Sequence, residues 1–162
     1  FKNDFNSEID GLYIPNKVNP SNLFDIHTIK SHFLFLVTES LINNNTLFIS
    51  EKTFKPIYSF RPFIILGTPN TLNKLKEMGF KTFDKWWDES YDNETDDLKR
   101  LKVILAEIEK FANKTKEEKD EFLNNVKDIV KYNQEYFLNY AEKNSPKNIN
   151  DIVWNLTKPT KI

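Results

Sequence analysis

Two short apolar runs stand out in the first half of the chain, at residues 33–37 and 63–66. Uninterrupted apolar runs of this length are typical of parallel strands that are covered on both faces. Between them, residues 47–49 are predicted to form a short strand or an extended approach. Ser50 is then a suitable N-cap for a helix that begins at Glu51.

The alternation of elements continues after the second run. Residues 67–70 predict a tight turn that leads into a helix from Thr71 to Met78, and Gly79 stands where a left-handed residue favours the end of a helix. Pro56 falls inside the preceding helix and predicts a kink there. Strand, helix, strand and helix in this order indicate an α/β domain.

The second half of the chain has a helical pattern instead. Apolar residues recur at helical spacing over residues 98–111 and again over residues 122–138, which predicts two long amphipathic helices. Thr115 and Glu118 have the spacing of a capping box, so the second helix is expected to begin there. Residues 152–156 predict one more short helix, docked through its tryptophan.

These patterns divide the chain into three parts of one domain. Residues 1–31 are polar and turn-rich, with one candidate strand at residues 12–14. Residues 32–112 are expected to form the α/β core, and residues 113–162 to form helices that pack on it. A length of 162 residues suits a single domain with a substantial core.

Composition and charge exclude several functions. The net charge of −1 argues against a nucleic-acid-binding module, because such modules rely on an excess of Lys and Arg. The chain has no cysteine, which excludes disulfides and thiolate zinc sites and is compatible with a cytoplasmic or host-intracellular location. No apolar run approaches the roughly 20 residues of a membrane span. The chain begins at Phe1 rather than Met, so we expect either processing or a longer native product.

The chemically informative stretch is residues 50–53, Ser-Glu-Lys-Thr, at the predicted helix start. A helix N-terminus favours phosphate, and Lys52 adds a full positive charge. The Glu51 carboxylate could accept two hydrogen bonds from ribose hydroxyls. The alternative is a solvated helix cap with no ligand, which is common on protein surfaces.

Three ordered blocks, at residues 37–40, 48–52 and 62–70, resemble the donor-binding region of the fucosyltransferase-like glycosyltransferases. In that family a strand ends in a Phe-Glu-Asn-Ser-like string, an aromatic residue followed by Thr-Glu-Lys opens a helix, and a strand with Pro, Val and Gly closes the unit. The resemblance covers residues 33–110, and its later part is similar to phage-type and virus-type relatives.

This resemblance implies the Rossmann-like, nucleotide-sugar-binding half of a two-domain, type B glycosyltransferase. It implies a hexosyl or fucosyl nucleoside diphosphate as donor, a hydroxyl group on a glycan or other molecule as acceptor, and no metal or other cofactor. On the matching positions Glu51 would bind the ribose, Lys52 the diphosphate, and Glu39 would lie near the donor. The complete set of predicted donor-binding residues is Glu39, Ser40, Ser50, Glu51, Lys52 and Thr53.

The chain also departs from the family pattern. Ser40 stands where the family has Asn, and Phe48 stands where it has Tyr. The family's general base comes from a preceding acceptor domain, and residues 1–31 are too few to form one. We therefore assign no catalytic residue and expect transfer to need a missing N-terminal acceptor domain or a partner that supplies one. The alternatives are a non-catalytic binding or structural protein that retains the fold, and a nucleotide-responsive regulatory module.

A metal site has little support in the sequence. No Asp-any-Asp element follows either predicted strand. Asp88, Glu89 and Asp92 could bind a hard cation, but an acidic turn that is solvated or caps a helix is the favoured interpretation. His27 and His32 lack a third ligand at metal spacing, although His32 precedes the first strand and could lie near the site.

Two further groups have a structural and a functional interpretation. Arg61 could reach a phosphate, but a structural role is slightly favoured. Trp86, Trp87 and Tyr91 could stack on a base or a sugar, but core packing is favoured.

Overall fold

The computed structural model describes residues 32–43 and 47–143. The predicted strand at residues 12–14, His27 and the predicted tail helix lie outside this range. The described elements, in chain order, are strand β1 (Phe35–Thr38), helix α1 (Glu51–Tyr58), strand β2 (Phe63–Leu66), helix α2 (Thr71–Glu77), a 3-10 helix (Ser90–Asn93), helix α3 (Asp97–Ala112) and helix α4 (Lys116–Lys143). The chain is thus of the mixed α/β class, as its pattern predicted.

The sheet of the described residues consists of β1 and β2, which run parallel. Phe35 pairs with Phe63 and Thr38 with Leu66. All but the last residue of β2 is buried, as its continuous apolar run predicted. The prediction that β1 is covered on both faces is wrong, because Leu36 is 48% exposed and only Val37 of that strand is buried. Residues 47–49 approach α1 in an irregular conformation instead of forming a strand.

Helix α1 begins where the sequence predicted. The Ser50 hydroxyl accepts a hydrogen bond from the Lys52 backbone N–H at 3.2 Å, as an N-cap does. Pro56 lies inside the helix. The helix ends at Tyr58. Two residues later Phe60 takes a left-handed conformation (φ 54°) that glycine usually adopts, and the Arg61 N–H donates to the Pro56 carbonyl at 2.9 Å. Burial of the Phe60 ring (5% exposed) offsets this backbone cost.

Helix α2 ends at Glu77 with Met78 as its C-cap, and Gly79 follows with a φ of +97°, which confirms the predicted left-handed termination. A side chain at Gly79 would also collide with the Tyr136 hydroxyl, which lies 2.7 Å from the position of a Cβ atom. That hydroxyl donates to the Met78 carbonyl at 2.7 Å. Helix α4 therefore packs against the C-terminal end of α2 through Tyr136.

The two long helices are confirmed, and so is the capping box at the start of α4. The Thr115 N–H donates to the Glu118 carboxylate at 2.7 Å, and the Glu118 N–H donates to the Thr115 hydroxyl at 3.2 Å. Helix α4 packs on α1, where the rings of Phe54 and Phe137 are stacked with centroids 5.5 Å apart. The amide of Asn133, 1% exposed, accepts from the Lys81 N–H and donates to the Lys81 carbonyl, both at 2.8 Å.

The aromatic residues after α2 belong to the core. Trp87 contacts the rings of Phe83 and Phe122 at centroid distances of 5.1 and 5.7 Å. Trp86 makes edge contacts with the same two rings. Tyr91 is 1% exposed, and burial raises the pKa of its hydroxyl far above the usual value. The favoured interpretation, core packing, is confirmed.

The N-cap of α3 gives a prediction for stability at low pH. The Asp96 carboxylate accepts hydrogen bonds from the N–H groups of Leu98 and Lys99 at 3.0 Å, and the bond from Lys99 is the largest cause that lowers the pKa of Asp96 below its usual value of 3.8. A depressed folded-state pKa stabilises the fold above pH 3.8, and that contribution is lost as the pH falls through the folded-state pKa. We expect Asp96→Ala to lower the melting temperature at pH 7, measured by circular dichroism, and the difference from wild type to shrink on acidification. A difference that grows on acidification would contradict this role.

Candidate functional site

The carboxyl ends of both strands and the start of α1 meet at one place. The Glu39 N–H, directly after β1, donates to the carbonyl of Leu66 at the end of β2, at 2.9 Å. The loop that enters α1 is tied to the same edge, because the Phe48 N–H lies 3.4 Å from the Thr68 hydroxyl. In open α/β sheets ligands bind outside the carboxyl ends of parallel strands. The six residues predicted from the sequence all lie here, at the end of β1 and the first turn of α1.

Glu39 holds the start of α1 from the protein interior. Its side chain is buried (3% exposed) and accepts three hydrogen bonds: from the Ser50 N–H at 3.0 Å, from the Ser50 hydroxyl at 2.5 Å and from the Thr53 hydroxyl at 2.6 Å. Ser50 (7% exposed) and Thr53 (fully buried) are themselves interior residues. These three predicted residues therefore form an internal network that fixes the helix against the strand.

The other three predicted residues face solvent. Ser40 is exposed, and the side chains of Glu51 and Lys52 are 45% and 40% exposed. The Lys52 ammonium lies 3.1 Å from the Ser40 hydroxyl, 3.4 Å from the Ser50 hydroxyl and 3.5 Å from the Glu51 carboxylate. The predicted set is thus split into a buried layer and a surface layer that are joined by Ser50.

The electrostatics of the two layers differ. The Glu39 carboxylate occupies the position beneath the helix start where the backbone dipole favours negative charge, and the Ser50 hydroxyl already accepts the Lys52 N–H. Positive charge at the surface therefore comes mainly from the Lys52 ammonium. The Glu51–Lys52 pair is exposed and weak, so either group can exchange its partner for a ligand at small cost.

Gly67 and Arg100 shape this edge and were not predicted. A Cβ atom on Gly67 would lie 2.9 Å from the Thr71 hydroxyl, so the close approach of the strand end to α2 requires glycine. Arg100 is 1% exposed and donates to the backbone carbonyls of Ile42 and Glu94 and to the Asp97 carboxylate. It thereby fixes the loop that follows Ser40. The signal was present in the sequence, since Arg100 is four residues before Ile104, on the buried face of α3.

The acidic turn at residues 88–92 caps a helix, as was favoured. The Asp92 carboxylate accepts the N–H groups of Leu72 and Asn73 at 2.8 and 3.0 Å, and so caps α2 from 20 residues away. Burial raises the pKa of Asp92 above its usual value, and those two hydrogen bonds act in the opposite direction. Glu89 is engaged by the Thr82 hydroxyl and the Phe83 N–H, both at 2.8 Å.

A shallow pocket of about 340 Å³ lies between α2 and the acidic turn, and none of the six predicted residues lines it. Lys76 crosses it and makes ion pairs with Glu89 at 3.2 Å and Asp84 at 3.6 Å. These pairs raise the pKa of Lys76, although burial acts against them. The Asp88 pKa is lowered by hydrogen bonds from Ser90. The two buried carboxylates of the pocket, Glu89 and Asp92, are thus engaged by hydrogen bonds that stabilise the fold.

The remaining candidates lie apart from the helix start. Arg61 is 4% exposed and donates to the Phe60 carbonyl at 3.2 Å, which agrees with the structural role, and burial lowers its pKa. His32 is exposed, with its ring edge-on to Phe35 at 6.2 Å. Within residues 32–43 and 47–143 no group of three or more His, Cys, Asp or Glu side chains has metal-site geometry. None of the described helices is long and apolar enough to cross a membrane.

A scan of protein-family models and searches of curated proteins and of solved structures each returned no match to this chain.

Proposed function

We propose that this chain binds the diphosphate of a nucleotide sugar at the start of α1, as the Rossmann-like donor half of a type B glycosyltransferase. The observation that carries the proposal is the position of the Lys52 ammonium. It lies at the N-terminus of α1, 3.1 Å from the exposed Ser40 hydroxyl, above the carboxyl edge of a parallel strand pair. The ammonium supplies a positive charge and the exposed hydroxyl a hydrogen bond, and together they suit a phosphate group.

The exposed residues of this set would contact the ligand, and the buried ones would position them. Lys52 and Ser40 would contact the diphosphate, and the Glu51 carboxylate would accept hydrogen bonds from the ribose hydroxyls. Glu39, Ser50 and Thr53 would act as positioning residues, because they hydrogen-bond to one another and so fix the start of α1. A ligand would displace Glu51 from Lys52, which costs little because that ion pair is exposed.

The same arrangement fits a role in sugar transfer. When the bond between sugar and diphosphate breaks, negative charge develops on the leaving phosphate, and a fixed ammonium next to it stabilises that charge. The hydroxyl acceptor needs a general base, which in the resembled family comes from a preceding domain. Donor binding is therefore the part of the reaction that we propose for this chain, without a metal ion.

Calorimetric titration with a panel of ribonucleoside diphosphates tests this proposal. We expect one of the diphosphates to bind, and Lys52→Ala to weaken that binding by about tenfold or more, since a charge-assisted hydrogen bond contributes about 1.5–3 kcal/mol. Affinity should also fall as the salt concentration rises. Lys55→Ala is the matched control, because it removes the same charge from the last turn of the same helix.

A second variant distinguishes recognition of the ribose from recognition of the diphosphate. Glu51→Ala should weaken binding of the ribonucleoside diphosphate but leave binding of its 2′,3′-dideoxy analogue unchanged. If no nucleoside diphosphate binds at about 1 mM, or if Lys52→Ala binds as wild type does, the proposal is wrong.

A further inference from the structure

Helix α3 carries an apolar stripe that borders the face packed on the core, and Ile108 of this stripe also contacts the core. Leu98 and Leu105 are 70% and 52% exposed. The buried residues of the same helix, Arg100, Ile104 and Glu107, lie on another side. The stripe consists of Leu98, Leu101, Leu105, Ile108 and Ala112, which are separated by three, four, three and four residues.

This spacing is the heptad pattern by which two helices pack along a seam. A line of exposed apolar side chains on one helix marks an interaction surface, whereas apolar residues exposed singly need no explanation. Leu98, Leu105 and Ala112 are exposed, and Leu101 and Ile108 are partly exposed between them, with Ile108 at the border with the core. The stripe therefore offers a partner helix a packing surface about four turns long.

The charges that flank the stripe identify a second copy of this chain as that partner. Lys102 and Glu109 are both exposed, are seven residues apart and lie along the same edge of the stripe. In an antiparallel pair with Leu105 opposite Ile108 of the second copy, Lys102 meets Glu109 of the second copy. Two-fold symmetry repeats this ion pair at the other end. The stripe is therefore complementary to itself in charge.

Other registers are less favourable. An antiparallel register with Leu101 opposite Leu105 of the second copy would bring the two Lys102 side chains together, and like charges repel. A parallel pair would direct Lys102 toward Asp97 of the second copy. However, the Asp97 carboxylate is already bonded to the buried Arg100 guanidinium at 2.5 Å. One antiparallel register thus satisfies both the apolar and the charged positions.

We propose that α3 is a homodimer interface, in which the helix pairs antiparallel with its copy and Lys102 binds Glu109 of the second copy. One helix of 16 residues buries less than the roughly 800 Å² per partner of a standard stable interface. The dimer is therefore weak and forms in a concentration-dependent way. This interface does not depend on the function proposed above.

Sedimentation equilibrium of the full chain over about 1 µM to about 1 mM tests the interface. We expect the mass to rise with concentration from 19.2 kDa toward twice that value. Leu105→Glu should raise the dimer dissociation constant by about 100-fold or more, because it places two charges in the apolar seam. Ala106→Glu is the matched control, since it adds the same charge to the neighbouring exposed residue outside the stripe; its weak pairing with Lys102 at i, i+4 should change the dissociation constant by less than about fivefold.

Charge exchange tests the register. Lys102→Glu and Glu109→Lys should each weaken the dimer, and the double variant K102E/E109K should restore it. A wild-type chain that stays at 19.2 kDa throughout the range overturns the proposal, as does a double variant no stronger than the single ones. If the wild type is monomeric and Leu105→Glu lowers the melting temperature, the stripe is covered by another segment of this chain, which also overturns it.

Discussion

Glu39→Ala is expected to destabilise the fold by about 3 kcal/mol, because the variant removes the acceptor of three buried hydrogen bonds. The Ser50 N–H and the hydroxyls of Ser50 and Thr53 would be left in the interior without that carboxylate. The loss should appear as a lower urea midpoint with an unchanged slope, since the folded and unfolded states expose the same surface as before.

Glu51→Ala is the control for this prediction. It removes a carboxylate from the same helix start, but that group is 45% exposed and should contribute less than about 0.5 kcal/mol. Equal urea midpoints for Glu39→Ala and wild type would mean that the network beneath α1 does not stabilise the fold. The urea midpoint of Glu39→Gln should lie between those of Glu39→Ala and wild type, because an amide oxygen accepts hydrogen bonds but carries no charge.

Phe54→Ala is expected to cost about 3–5 kcal/mol of unfolding free energy, comparable to or larger than the effect at Glu39. Phe54 is 1% exposed and lies between the rings of Phe80 and Phe137, at centroid distances of 5.8 and 5.5 Å. Its removal leaves a cavity between α1 and α4, and the lost transfer energy and the cavity both destabilise the fold. Chemical denaturation followed by tryptophan fluorescence measures the change.

Leu98→Ala, measured at about 1 µM protein so that the weak α3 dimer is dissociated, provides the comparison for Phe54→Ala. Leu98 is 70% exposed, so its truncation should shift the unfolding free energy by less than about 0.5 kcal/mol. A loss below about 1 kcal/mol in Phe54→Ala would show that α4 does not depend on α1 for its packing.

The helical half of the fold was predictable because its signals are local. The apolar spacing of α3 and α4, the capping box of Thr115 and Glu118, and the left-handed Gly79 all act within a few residues, and each is present in the structure. The order of strand, helix, strand and helix was predictable for the same reason. The β1 run was misjudged because an apolar run does not record whether a second layer covers it.

The partners of the long-range contacts were not predictable from spacing. Asp92 caps α2 from 20 residues away, and Arg100 reaches the carbonyl of Ile42 from 58 residues away. At the site, the sequence indicated the residues at the start of α1 but not their division into layers. Glu39 is a charged residue, and such residues are rarely buried unless they are paired, so its interior position depends on donors contributed by Ser50 and Thr53.

The position of Glu39 has a consequence for cooperativity. One carboxylate links the end of β1 to the start of α1, and Phe54 of α1 packs against α4, the longest of the described helices. The surface that holds Lys52 is therefore expected to open only together with the interior network and the α1–α4 packing. Local opening there would require breaking the interior network, so the surface and the core should melt together.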